Sequence, residues 1–240
     1  MKTIKTLIIT LSALLLFTIA KAQTADEIIA KHIDALGGAD KVSQVNSVYI
    51  ESSTAVMGTE GATKTFIVNG KGYRNESDFG GQSLVQVVTD KGGWQINPFQ
   101  GATDPTAIST DEFNGSSDEV YLLDPLVNYA ANGANIELAG QEKIGDVNAY
   151  KIKYTNKYGS ETNYYIDPAT WYLIQLTKES NSMGQPTTIT INYSNYQKTD
   201  FGVFMAYTTH LDAGQFALDI TTQKVEVNKE IDPSIFEMKK

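Results

Sequence analysis

The residues best suited to chemistry are few and scattered. The 240-residue chain contains two histidines, His32 and His210, and no cysteine. Without a thiol there is no cysteine nucleophile, iron–sulfur site or Cys–zinc site. The histidines lie far apart and form no HExxH-type spacing. His32 falls four residues after Ile28 and four before Leu36, on an apolar helical stripe, so the spacing suggests a packing role. His210 alternates with Phe204, Ala206 and Thr208 as in a strand. No GxSxG elbow, P-loop or GxGxxG fingerprint occurs. The acidic pairs Asp111-Glu112 and Asp118-Glu119 sit in a polar loop or at a helix start, where solvation and helix N-terminal charge account for them. Glycosidase-type carboxylates are matched in space rather than in sequence, and nothing here points to them. The expectation is a non-enzyme with no catalytic residue, metal site or cofactor.

The aromatic residues have two readings. Tyr164-Tyr165 and Trp171-Tyr172 flank an Asp167-Pro168 turn. They form either a sugar-stacking or lipid-facing platform or ordinary cross-strand pairs. Trp94, close to Pro98 and Phe99, either caps a cavity mouth or packs in the core.

The N-terminus reads as an export signal. Lys2 and Lys5 precede an apolar run from Leu7 to Ile19, and Ala20-Lys21-Ala22 is a small-x-small cleavage site, so cleavage is expected between Ala22 and Gln23. The run is short for a bilayer span, and no cysteine is available for lipidation. A soluble periplasmic protein without stable membrane insertion is expected. Residues 1–22 hold three lysines and no acid, so residues 23–240 keep 28 acidic side chains against 16 basic ones, a net charge of −12. That balance argues against nucleic acid and against docking on anionic headgroups.

Residues 23–240 read as a single domain, mainly β with two or three helices. Thr24 and Glu27 form a capping box ahead of Ile28, Ile29, Ile33 and Leu36, and Gly37-Gly38 stops the helix. About 11–12 strands follow, joined by turns such as Asp90-Lys91-Gly92-Gly93, Gly145-Asp146 and Asp212-Ala213-Gly214. Gln100 to Ser117 reads as a long loop of the lid or binding type. Asp118 to Ala131 reads as a helix kinked or split at Pro125. With no βαβ alternation, the strands form a curved antiparallel sheet, an incomplete (half-open) β-barrel with helices on its concave side.

Period-two alternation assigns the faces. Tyr150, Ile152 and Tyr154 share one face, as do Tyr164 and Ile166, then Tyr172, Ile174 and Leu176, then Ile189, Ile191 and Tyr193. The last strand changes phase between Ile220 and Val225, so a bulge is expected near Thr222. Two helices are too few to fill so wide a face, and the remainder is either packed core or cavity. The expected cavity lining is Trp94, Tyr150, Ile152, Tyr154, Tyr164, Ile166, Tyr172, Ile174, Leu176, Ile189 and Ile191.

Several segments together carry a resemblance. They are the Ala25 to Gly38 helix, Gly93-Trp94-Gln95-Ile96-Asn97-Pro98, Asp124-Pro125-Leu126, Tyr164-Tyr165-Ile166-Asp167 and Asp232-Pro233-Ser234-Ile235-Phe236. In this order, over nearly all of residues 23–240, the chain resembles the outer-membrane lipoprotein-sorting-like proteins of Gram-negative bacteria, within the LolA/LolB-like superfamily. The resemblance implies a half-barrel plugged by helices and an apolar cavity for acyl chains. Carriers of that superfamily place an arginine near the cavity, and the one arginine here is Arg74. The function implied is a monomeric carrier of lipid or acylated lipoprotein that exchanges cargo with membrane-associated donor and acceptor proteins. The alternative is an extracytoplasmic module that binds protein or glycan and has a filled core. A hydrolase would need a cluster of acids and histidine that the sequence does not display.

Overall fold

The computed structural model describes residues 23–56, 59–182, 185–214 and 216–239. The export-signal segment, residues 1–22, lies outside them.

Helix α1 (Ala25–Ala35) forms as its capping box dictates. The Thr24 hydroxyl accepts from the Glu27 amide, and the Glu27 carboxylate accepts from the Thr24 amide. Gly37, at φ +127°, ends the helix against residues 202–203, where a Cβ would meet the Gly202 carbonyl at 3.0 Å. A short helix, α2 (Ala39–Val42), leads into the sheet.

Six strands follow in a meander: β1 (Ser47–Val56), β2 (Thr59–Val68), β3 (Gly72–Phe79), β4 (Gln82–Thr89), β5 (Gly92–Asn97) and β6 (Ala102–Ala107). Helix α3 (Thr110–Ser116) and two 3-10 turns, Ser117–Val120 and Pro125–Asn128, come next. The second meander is β7 (Asn135–Ile144), β8 (Val147–Thr155), β9 (Glu161–Ile166), β10 (Leu173–Ser182), β11 (Gln185–Lys198), β12 (Phe204–Asp212) and β13 (Ala217–Val227). A last 3-10 turn spans Pro233–Phe236.

All 13 strands form one sheet, ordered β6-β5-β4-β3-β2-β1-β13-β12-β11-β10-β9-β8-β7, with every pair antiparallel. The first and last strands meet at its middle, and β6 and β7 form its two free edges, so the sheet is an open half-barrel. This topology determines the path of the link between β6 and β7. Residues 108–134 must travel from one edge to the other, and they do so across the concave face as a plug.

Two expectations are corrected in this region. The span read as a loop, Gln100 to Ser117, contains β6 and α3. Pro105 is tolerated in β6 because the strand is an edge. A second capping box starts α3, with the Ser109 hydroxyl accepting from the Glu112 amide. Conversely, the span read as a helix, Asp118 to Ala131, holds only 3-10 turns. Pro125 confines Asp124 to an extended backbone, and Leu123 sits at φ 68°, so helical hydrogen bonding cannot continue.

Bulges set the register. In β13 the pairing steps from Glu51↔Lys224 to Ser52↔Thr222, leaving Gln223 as the extra residue. The bulge expected near Thr222 is therefore present, and it brings Val225 and Val227 onto the face that Ile220 and Leu218 continue. In β10 the pairing steps from Leu173↔Ile166 to Gln175↔Tyr165. The shift places Leu173, rather than Ile174, in the buried cluster with Leu176, which corrects the expected 172/174/176 face.

The core has three parts. Ile28, Ile29 and Leu126 pack on Ile152, Tyr154 and Ile166, joining α1 and the plug to β8–β9. Burying each such side chain contributes about 1.5–3 kcal/mol. Leu36, Val48, Leu122 and Val203 form a second cluster. Val85, Val87, Trp94 and Phe236 form a third, closed by the C-terminal turn. Gly72 leaves room for the Phe236 ring, since a Cβ there would come within 2.8 Å of it.

Candidate functional site

A cavity of about 350 Å³ lies between the plug and the sheet. Its floor comes from β1, β2 and β9–β13, and its roof from plug residues 115–125, with Leu36 at the end of α1. The lining is mainly apolar, including Ile50, Leu123, Leu173, Leu176, Ile191 and Met205. Hydroxyls of Ser52, Thr65, Thr162, Thr209 and Thr222 cover another part. Three charged side chains line the cavity from its roof, Asp118, Glu119 and Asp124, and one from its floor, Lys178.

The roof is tied down by polar contacts. His32 is fully buried, with Nε2 2.8 Å from the Asp124 carboxylate and Nδ1 2.7 Å from the Trp171 carbonyl. Both partners are acceptors, so both ring nitrogens donate and the ring is an imidazolium. Burial pulls the imidazole down, but the Asp124 charge and the two hydrogen bonds outweigh it and hold His32 above its ordinary value. The other Asp124 oxygen accepts from the Leu126 amide and caps the 3-10 turn. Asp118 is held by the Tyr154 hydroxyl and by Asn156 Nδ2, both at 3.0 Å. The Val120 carbonyl accepts from the Gly70 amide at 2.9 Å, fastening the plug to the β2–β3 turn.

Glu119 is different. Its Oε2 is buried with no hydrogen-bond partner, and it forms no ion pair among the described residues. Burial pushes its carboxyl up, Lys178 opposes that, and Asp118 adds to it. Burial also raises Asp118, against the hydrogen bonds from Asn156 and Tyr154.

Of the residues expected to line a cavity, Tyr164, Leu176 and Ile191 do so. Helix α1, with Leu126 beside it, covers β8–β9, so Ile152, Tyr154 and Ile166 are core beneath it. Tyr150 stacks on Trp171 at 5.8 Å, and Lys31 Nζ lies 4.3 Å from the Trp171 ring centre. Tyr172 stacks on Tyr196 at 4.1 Å. Trp94 is buried, donates Nε1–H to the Phe236 carbonyl at 2.9 Å and carries Arg74 over its ring. Ile174 and Ile189 are half-buried and outside the lining. Arg74 is likewise absent from the lining. It binds Glu76 and the Ile235 carbonyl, clamping the C-terminal turn.

The sequence reading sets Asp118 and Glu119 aside as solvated charge and does not select Lys178. Lys178 shares the parity of Leu176 two residues earlier, a signal that was available. The acidic pair reads as solvated because a polar loop or a helix start accounts for its charge.

No protein-family model and no curated protein matches the sequence. Solved structures do match in shape. A LolA superfamily protein from Nitrosomonas europaea aligns with a TM-score of 0.57 at 12% identity, over 90% of this chain and 98% of its own. A domain named for outer membrane lipoprotein sorting, from Vibrio parahaemolyticus, gives 0.55 at 12% identity, over 88% of this chain and 94% of its own. The chain has a LolA-like fold. A DUF1329 family protein from Desulfovibrio piger shares it, with a TM-score of 0.53 at 14% identity, over 87% of this chain and 97% of its own. In this fold the cavity lies where the plug from β6 to β7 stands off the floor of β1, β2 and β9–β13.

Proposed function

We propose that this protein is an exported carrier that holds one acyl chain of a lipid or lipoprotein in the cavity between plug and sheet. The observation that carries the reading is the mainly apolar space of about 350 Å³ between plug and sheet in a half-barrel, within the range of roughly 300–1,000 Å³ usual for ligand sites. A mainly apolar space of this size has room for an acyl chain. Each buried methylene contributes about 0.8 kcal/mol, so an acyl chain alone supplies useful affinity. Among structures of the same fold, one from Vibrio parahaemolyticus is named for lipoprotein sorting.

Residues 1–22 serve as the export signal in this reading, and the mature chain acts in the periplasm as a monomer with membrane-associated donors and acceptors. Its role is binding, not catalysis: the one buried histidine already donates from both nitrogens to structural partners. The alternative of an aromatic recognition surface has less support. Tyr165 is 3% exposed, and Trp171 lies between Tyr150 and Lys31.

Displacement of a fluorescent fatty acid tests the proposal. Leu176→Lys and Ile191→Lys place a charge on the cavity floor and are expected to weaken binding at least tenfold, with circular dichroism unchanged. Wild-type affinity in both folded variants would remove the cavity from the account.

A further inference from the structure

The cavity is lined by two charged groups of opposite sign that make no ion pair among the described residues. Glu119, from the plug, has a buried oxygen without a hydrogen-bond partner. Lys178, from β10, lines the same space and makes no ion pair among the described residues. The two are close enough for Lys178 to oppose the rise of the Glu119 carboxyl, yet they do not meet within ion-pair distance. Asp118, the other acid of the pair, is already engaged by Tyr154 and Asn156. Buried polar groups are nearly always hydrogen-bonded, so an orphan of this kind calls for a partner that the chain does not supply. Among the described residues no group of three metal-ligating side chains exists, and an ammonium group on a ligand would complement the Glu119 carboxylate.

Each ligand chemistry makes a different match. A fatty acid would satisfy Lys178 but bring a second carboxylate towards Glu119. A neutral glyceride would satisfy neither charge. An amphiphile with both signs in its headgroup satisfies both, by filling the gap between them. The hydroxyls of Thr162, Thr209 and Thr222 offer further donors and acceptors to such a headgroup, while the apolar lining takes the chain.

We infer that the carrier selects a single-chain zwitterionic amphiphile, with a primary ammonium against Glu119 and an anionic phosphate or carboxylate against Lys178. A primary ammonium is required because it donates hydrogen bonds to the carboxylate, which a quaternary one cannot. The inference rests on the cavity being an amphiphile site, and its test separates the two.

The probes are lysophosphatidylethanolamine, lysophosphatidylcholine, lysophosphatidylglycerol, an N-acyl amino acid with a free side-chain amine, a fatty acid and a neutral monoglyceride, all of one chain length. Binding to the full mature protein is measured by calorimetry. Hydrogen bonds to charged groups set the expected scale: the ethanolamine lipid should bind roughly ten- to a hundredfold more tightly than the choline and glycerol lipids. Comparable binding of the amine-bearing acyl amino acid would identify carboxylate as the anion, and weaker binding would identify phosphate. Glu119→Gln keeps the shape and should bring the ethanolamine lipid down to the level of the glycerol lipid. Lys178→Met should weaken every anionic probe and leave a neutral monoglyceride unaffected. Equal binding of all the lysolipids, or a preference that survives Glu119→Gln, would overturn the inference while leaving the carrier intact. Failure of every probe to bind would instead overturn the carrier itself.

Discussion

His32 links three separate parts of the chain. It sits on α1, pairs with Asp124 of the plug 92 residues away, and reaches the Trp171 carbonyl in the turn before β10. Removing one member of a buried pair leaves the other charge uncompensated, so Asp124→Asn should cost about 3 kcal/mol in urea unfolding at pH 6. Asn keeps the cap on the Leu126 amide, so the loss reports on the pair itself. The pair also makes stability depend on pH. The folded His32 value lies above the unfolded value of 6.5. The folded state therefore binds a proton that the unfolded chain has released, and the contribution is full below pH 6.5 and fades as pH rises through the folded value. Thermal melts from pH 6 upwards should show wild type losing more stability than Asp124→Asn. Parallel curves would place the pH dependence elsewhere. From sequence, the burial of His32 could be read from its stripe with Ile28 and Leu36. Its partner could not, because the period of a helix carries no information about a residue 92 positions away.

At the scale of elements, the plug governs both stability and the cavity. It is one continuous link between the sheet edges, with Leu126 wholly buried against α1 and β8–β9. Leu126→Ala should destabilise the protein by about 2–5 kcal/mol. Because Leu126 belongs to the core and not to the cavity lining, ligand affinity in the folded fraction should stay close to wild type. A large loss of affinity at native temperature would mean that the plug shifts when its anchor is cut. The strands were legible because alternation and turn residues are local signals. The bulge at Gln223 was legible for the same reason, since a phase change is visible along one strand. The Ile174 bulge was not, because Trp171 to Leu176 alternates acceptably in either phase and only pairing with Ile166 and Tyr165 decides between them. The plug misled sequence reading because its apolar residues follow a helical stripe while Pro125 and Leu123 forbid the helix.

At the scale of the whole molecule, the open sheet is the source of the cavity. Because β6 and β7 are the two free edges, the link between them crosses the concave face of the half-barrel. The free edges carry features that discourage strand addition: Pro105 in β6, and in β7 a bulge at Ala139 and Gly140 with Glu137, Glu142 and Lys143 nearby. These features limit edge-to-edge pairing between copies of the chain. The existence of an apolar concave face was readable from four successive strands. Its division into core under α1 and cavity under the plug was not, because that boundary depends on where the link crosses.

Native mass spectrometry of the mature protein, extracted gently from its source and then offered lysolipid, tests the central claim most directly. The account predicts one amphiphile with a single chain per protein molecule, either carried through purification or taken up at one equivalent, and absent from Leu176→Lys. A protein that stays at its bare mass through both steps, or that binds lysolipid equally well after Leu176→Lys, would contradict it.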